Sequence, residues 1–215
     1  MRAQRKLNWQ RLTHDGWSTE LRHEDYNITG TLKFNNGRRI GKSTAQQLLK
    51  AYWHKLDRMF FGHATKKGVG IERWVFAEYG ELGDNLHFHF KAKAPTEPFF
   101  FCCVANTVWS KFHNQTSSKQ LSEITPTINP KQSALYVSKS TKQSHFDESG
   151  LAASHRNKAN INIQSFQTIA QAQRILNQIS ISELTEAQQI VKEHIAKAEK
   201  RIQLRQYKAE ARGAQ

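Results

Sequence analysis

The sequence predicts an α+β domain, an antiparallel sheet flanked by helices, with a helical and basic C-terminal extension. Three observations predict it. Strand-like and helical runs follow one another as strand, helix, strand, strand, helix, strand, helix, which is not the strict alternation of a parallel α/β protein. Two of the strand runs, 71–79 and 85–93, are joined by Gly80-Glu81-Leu82-Gly83-Asp84, a hairpin loop that makes them antiparallel neighbours. Residues 166–215 turn to helical patterning with no strand signal. The expected organisation is an N-terminal arm at 1–24, a main domain at 25–165 and the extension at 166–215.

Each element has a local reason. The arm carries Trp9 and Trp17 among polar and basic residues. Tyr26–Phe34 is rich in β-branched and aromatic residues and reads as a strand, ended by the turn signal Asn35-Asn36-Gly37. Ser43 or Thr44 is placed to cap a helix running to about Phe61, with Leu48, Leu49, Tyr52, Leu56, Met59 and Phe60 as its apolar stripe. A basic, glycine-bearing loop spans Gly62–Gly70 and leads into the hairpin. Pro95 and Pro98 open a helix containing Phe101, Val104, Val108 and Trp109. Ile124–Ile128 is a short strand. Asn129 then caps a helix, with Pro130 in its first turn, running to about Lys142. Ser144–Lys158 reads as a loop, Asn160–Gln164 alternates as a further strand would, and helices follow at about 166–178 and 182–210.

Composition narrows the function. The 215 residues hold 32 Lys+Arg against 18 Asp+Glu, a formal charge of +14. Such a chain seeks a polyanion, either nucleic acid or an acidic membrane surface. The longest apolar run, Phe99–Ala105, is too short to span a bilayer, and the last helix lacks the Trp/Phe/Leu face of a surface-bound membrane helix. The basic start is not followed by an apolar stretch of the secretory kind, so a cytoplasmic location is expected. Cys102 and Cys103 are adjacent, unsuited to a disulfide framework or a four-cysteine zinc site, and read as core. Gly41-Lys42-Ser43 lacks the earlier glycine of a phosphate-binding loop, since position 36 is Asn36, so no ATPase or helicase activity is expected of the chain.

Three features carry chemistry. In His87-Phe88-His89-Phe90 strand alternation sends both phenylalanines to one face and both histidines to the other, roughly 7 Å apart at the backbone. Two imidazoles at that spacing can share one metal ion, although two histidines on a half-exposed strand are also ordinary polar surface. Glu78 ends the preceding strand, and the hairpin brings it back beside them; Glu81 is the fallback. A carboxylate with two imidazoles suits Mg²⁺ or Mn²⁺ acting on a phosphate better than a closed zinc site. Tyr136 and Lys139 lie three apart and share a helix face. A tyrosine oxygen can attack a phosphodiester if a metal polarises the phosphate and an ammonium favours the phenolate; a core tyrosine beside a solvated lysine is the plainer reading of those residues alone.

Taken together and in this order, the motifs resemble the HUH endonucleases, specifically rolling-circle replication initiators with one catalytic tyrosine. Ile28-Thr29-Gly30-Thr31-Leu32 resembles the family's first strand motif loosely, His87-Phe88-His89 matches the metal motif, and Tyr136 with Lys139 matches the Tyr-x-x-Lys motif. The resemblance covers about residues 26–143. It implies that Tyr136 attacks a phosphate of single-stranded DNA at a replication origin, leaving a 5′-phosphotyrosine and a free 3′-OH primer. It implies that Glu78, His87 and His89 hold Mg²⁺ or Mn²⁺ and that Lys139 steadies the nucleophile or the phosphate. Host helicase and polymerase are then the expected partners. Position 140 is Ser140, so no second tyrosine follows one turn on, and termination calls for a second protomer or a different step.

Arg38, Arg39, Lys42, Lys66, Lys67 and Lys142 are candidate DNA contacts, with Trp9 or Trp17 available for base stacking. The C-terminal helix fits equally a DNA contact, a partner contact or a solvated basic tail. Two other readings stand beside the initiator. One is a single-tyrosine HUH transposase, which typically carries a glutamine where this chain has Ser140. The other is a non-catalytic basic DNA-binding protein with structural histidines.

Overall fold

The computed structural model describes residues 8–23, 25–80, 84–142, 151, 153–158 and 161–213. Strands β1 (Ile28–Leu32), β2 (Arg73–Glu78), β3 (His87–Ala92) and β4 (Glu123–Pro126) form one antiparallel sheet in the order β2-β3-β1-β4. The helices are α1 (Trp9–Glu20), α2 (Lys42–Phe61), α3 (Pro98–Phe112), α4 (Pro130–Val137), α5 (Ile169–Leu176) and α6 (Ile181–Gly213). The α+β class and the antiparallel sheet expected from the sequence are what the chain forms.

Register divides the sheet into two chemically distinct faces. Gly30 pairs with Phe90 and Ile124, and Leu32 with Phe88; with Ile28 and Val75 these residues face the core under α2 and α3. The alternate residues form the other face. There Thr31 lies opposite both His89 and Glu123, Phe76 opposite His89, and Glu78 opposite His87. Gly30 is needed for close approach: a Cβ there would stand 2.2 Å from the Phe90 ring. α1 and α4 cover part of the second face, where Leu21, Phe76, Ala134 and Val137 make a smaller cluster with Trp17 and Trp74 packed against it.

Helix ends follow local chemistry, with some departures from expectation. α2 starts at Lys42 behind Gly41 without a side-chain cap, rather than at Ser43 or Thr44. Glu97 caps α3 by accepting from the Phe99 and Phe100 N–H groups, with Pro98 in the first turn. Asn129 caps α4 as expected, accepting from Gln132 N at 3.0 Å. That helix stops at Val137, earlier than the expected Lys142, and a 3₁₀ turn over Lys139–Lys142 follows. The Ser138 hydroxyl donates back to the Ala134 carbonyl and Thr141 donates to the Ser138 carbonyl, a side-chain competition with the helical ladder. Within the N-terminal segment lies helix α1, capped by Asn8 and burying His14 and Ser18, and one strand expectation is corrected. In the alternating Asn160–Gln164 stretch, 163–166 is a 3₁₀ turn, with the Asn162 side chain accepting from Gln164 N.

Helices α5 and α6 contribute to the same core. Ile175 of α5, Ile179, and Leu184, Ala187 and Val191 of α6 join the cluster formed by α2, α3 and the sheet. Ser180 and Glu183 make a reciprocal capping box at the start of α6. Cys102 and Cys103 are buried in α3. Among the described residues no helix is long and apolar enough to cross a membrane.

Candidate metal centre and nucleophile

The hairpin places Glu78 directly across from His87, and strand alternation adds His89 on the same face. His87 Nδ1 donates to the Asn85 carbonyl at 2.9 Å, which leaves Nε2 as the ring atom turned toward Glu78. His89 Nδ1 bonds Thr31 Oγ1 at 3.0 Å; with Nδ1 as the donor, its Nε2 is left in the same way. Both Nε2 atoms turn to Glu78 Oε2, at 3.6 Å for His87 and 2.7 Å for His89. One ligand atom from each of the three residues lies within 4.8 Å of the others.

Two of these atoms fit a cation better than they fit each other. Glu78 Oε2 and His89 Nε2 are buried, and neither has a hydrogen-bond partner despite their short separation. A buried acceptor facing a buried acceptor is costly, and a positive ion between them satisfies both. Protonation states agree. Burial pushes the His89 imidazole down to about 4, against the pull of Glu78, so it is neutral near pH 7 and able to ligate. Burial by itself raises the Glu78 carboxyl, but the Lys139 ammonium at its Oε1 opposes this, and the group is held well below the usual carboxylate range. The three residues therefore could hold a metal ion.

The tyrosine motif meets this centre from α4. The Tyr136 ring packs edge-on against the His89 ring at 4.7 Å, and the side chain remains 39% exposed. Lys139, on the 3₁₀ turn beyond the end of α4, reaches Glu78 Oε1 at 2.8 Å, and its Nζ lies 4.4 Å above the Tyr136 ring. One carboxylate thus offers one oxygen to the histidines and the other to the lysine. Comparison with known proteins finds no matching family model, no matching curated protein and no matching solved structure. The site has to be read from its own geometry.

A cleft of about 510 Å³ opens beside Tyr136 and His87, over the second sheet face. Its size suits a ligand-binding cleft. The basic residues singled out from sequence stand elsewhere. Arg38 is exposed and paired with Asp84 near the start of β3, and Arg39 and Lys42 are exposed in and after the same loop. Lys66 and Lys67 precede the Arg73 end of β2, away from Glu78. None of these five lines the cleft. Trp9 is exposed, whereas Trp17 packs against Trp74 and Phe76, which removes it as a stacking platform. Glu81 and the Lys142 side chain lie outside the described residues.

Sequence reasoning missed four contributors. Thr31 orients His89. Lys91 lies on the same face as His87 and His89 and is fully buried; burial lowers it to about 8, and its Nζ donates to Ser133 of α4. Strand alternation extended by two residues would have found it. Glu123 and Arg201, joined by two hydrogen bonds of 2.9 Å, line the cleft from β4 and α6. They are 78 residues apart, and no local pattern links them.

Proposed function

We propose that the chain is a metal-dependent DNA nickase and strand transferase of the HUH type, which starts rolling-circle replication at a single-stranded origin. The observation that carries this reading is the packing of the half-exposed Tyr136 ring against His89, whose ligand atom converges with those of His87 and Glu78. A nucleophile class and a metal-ligand set meet at one point beside an open cleft.

In the reaction, Tyr136 Oη attacks the scissile phosphorus. The Tyr–O–P bond forms and the P–O3′ bond breaks. The phenolic proton is given up, and the departing 3′ oxygen takes one, which leaves a 5′-phosphotyrosine and a free 3′-OH. A bound Mg²⁺ or Mn²⁺ supplies Lewis-acid polarisation of the phosphate oxygen. Glu78, His87 and His89 would hold it. Lys139, fixed by Glu78, sets a positive charge over the ring as negative charge develops on the attacking oxygen. The Lys91–Ser133 bond, at 3.1 Å, ties α4 to β3 and so helps to hold the nucleophile against the histidines. The 3′-OH primes a host polymerase, and a host helicase opens the duplex.

The test is a covalent-adduct assay with labelled single-stranded oligonucleotides spanning the origin of the chain's own replicon. With Mn²⁺ or Mg²⁺ we expect a cleaved strand and a protein band shifted on a denaturing gel. Tyr136→Phe, His87→Ala/His89→Ala and chelation each abolish the adduct, while Lys139→Met slows it by about 10²-fold or more. DNA binding without adduct under either metal, across a panel that includes the origin, would overturn the reading in favour of a non-catalytic binding protein.

A further inference from the structure

The cleft beside Tyr136 has a wall that the nicking chemistry does not use. It comes from the distal half of α6. The proximal half of that helix is anchored in the core through Leu184, Ala187 and Val191. Arg201, Ile202 and Arg205 therefore stand on a fixed support as they face the cleft. Arg201 is held in place by Glu123, which takes one hydrogen bond from each terminal nitrogen of the guanidinium and leaves its other N–H groups for a ligand. Arg205 and Lys33 line the same cleft, are exposed, and have no ion pair among the described residues. On the opposite wall, next to Tyr136, the buried Gln132 Oε1 has no hydrogen-bond partner. Cations along one side of a cleft match the phosphates of a nucleotide strand, which would lie toward α6.

We propose that this cleft is a subsite for single-stranded DNA, in which Arg201 and Arg205 of α6, with Lys33 after β1, grip the backbone phosphates next to the one Tyr136 attacks. The inference takes the identity of the polyanion from the nickase reading. It gives α6 a role in substrate binding, and it makes Glu123 a tether that aims Arg201 while opposing the strand's charge. The occupant proposed for this cleft of about 510 Å³ between α4 and α6 is a single strand, the substrate of the nickase reading.

The experiment is fluorescence anisotropy of a labelled single-stranded oligothymidylate with the full chain in EDTA, so that neither metal nor cleavage contributes. Arg201→Gln/Arg205→Gln should weaken binding about tenfold or more and lower the slope of log K against log salt by about 1.4, two contacts at ~0.7 each. Lys192→Gln/Lys200→Gln removes the same charge from exposed positions that do not line the cleft, and should change affinity by less than about threefold. Glu123→Gln keeps one oxygen acceptor to aim Arg201 while removing the opposing charge, and should tighten binding, a gain that misfolding cannot produce. An unlabelled duplex should compete far less well than a single strand. The proposal falls if the two double variants lose affinity equally, if Glu123→Gln weakens binding, or if duplex competes as well as single strand. An expected anisotropy pattern without any Tyr136 adduct leaves the subsite standing and removes the nickase; an adduct with unchanged binding by the arginine variant does the reverse.

Discussion

At Gly30 the side chain of a neighbour takes the space a Cβ would need. Phe90 lies across it, and that ring also packs edge-on with Trp53 of α2 at 5.0 Å. Gly30→Ala should therefore cost about 1–3 kcal/mol through overpacking, read as a lower urea midpoint, and Phe90→Leu in the same chain should recover part of the loss. The cost is steric, not conformational, because β1 is ordinary extended strand at this point. On the other face of the sheet, single residues do chemical work by sharing. Glu78 serves the histidines with one oxygen and Lys139 with the other. Glu78→Gln would leave Lys139 without its anion and the histidines without their third ligand.

Elements succeed or fail in sequence according to how much of their stabilisation is local. β3 and the β2–β3 hairpin are legible because alternation and a glycine-bearing loop are local signals. α1 is not: its buried face is His14, Trp17, Ser18 and Leu21, which makes a poor apolar stripe. It forms because Trp17 and Leu21 find Trp74 and Phe76 on the sheet. α6 has a readable start in Ser180-Ile181-Ser182-Glu183. Its Glu183 is lowered to about 2, first by Lys111 of α3 and then by the Ser180 N–H and hydroxyl. A depressed carboxyl adds stability above its ordinary value near 4.5, and that stability is lost as pH falls toward about 2. Glu183→Gln should flatten this part of the acid-side decline, measured as the urea midpoint at successive pH values, and change little near neutrality beyond the loss of the cap.

For the whole molecule, metal binding at Glu78, His87 and His89 would be linked to folding. The three residues come from the edge strand β2 and its neighbour β3, so a cation that binds them only in the folded chain would stabilise the fold. Mn²⁺ at a hundred times its dissociation constant should add about 2.7 kcal/mol, seen as a rise in melting temperature that follows metal concentration. His87→Ala/His89→Ala should remove that rise, whereas Arg201→Gln should keep it. A metal-independent melting temperature in the parent chain would mean that Glu78, His87 and His89 are a structural hydrogen-bonding cluster. The net charge of +14 acts at the same scale, as a field that would favour a polyanion over distances that no single lysine controls.

By itself the sequence determined what repeats over short distances. It specified the antiparallel α+β class, the two histidines on one strand face, Glu78 across the hairpin from them, the cap of α4 and the basic character of the whole. These follow from strand and helix periods and from turn chemistry, which act over a few residues. Only the tertiary structure decided which distant segments meet. The order β2-β3-β1-β4 sets Thr31 beside His89 and Glu123 beside Thr31. The packing of α4 on the second face brings Tyr136 to His89, and the end of that helix at Val137 lets Lys139 reach Glu78. The burial of the first half of α6 carries Arg201 to Glu123, while Arg38, Arg39, Lys42, Lys66 and Lys67 stay outside the cleft. Burial and pairing across the chain are properties of the packed whole, and no local spacing encodes them.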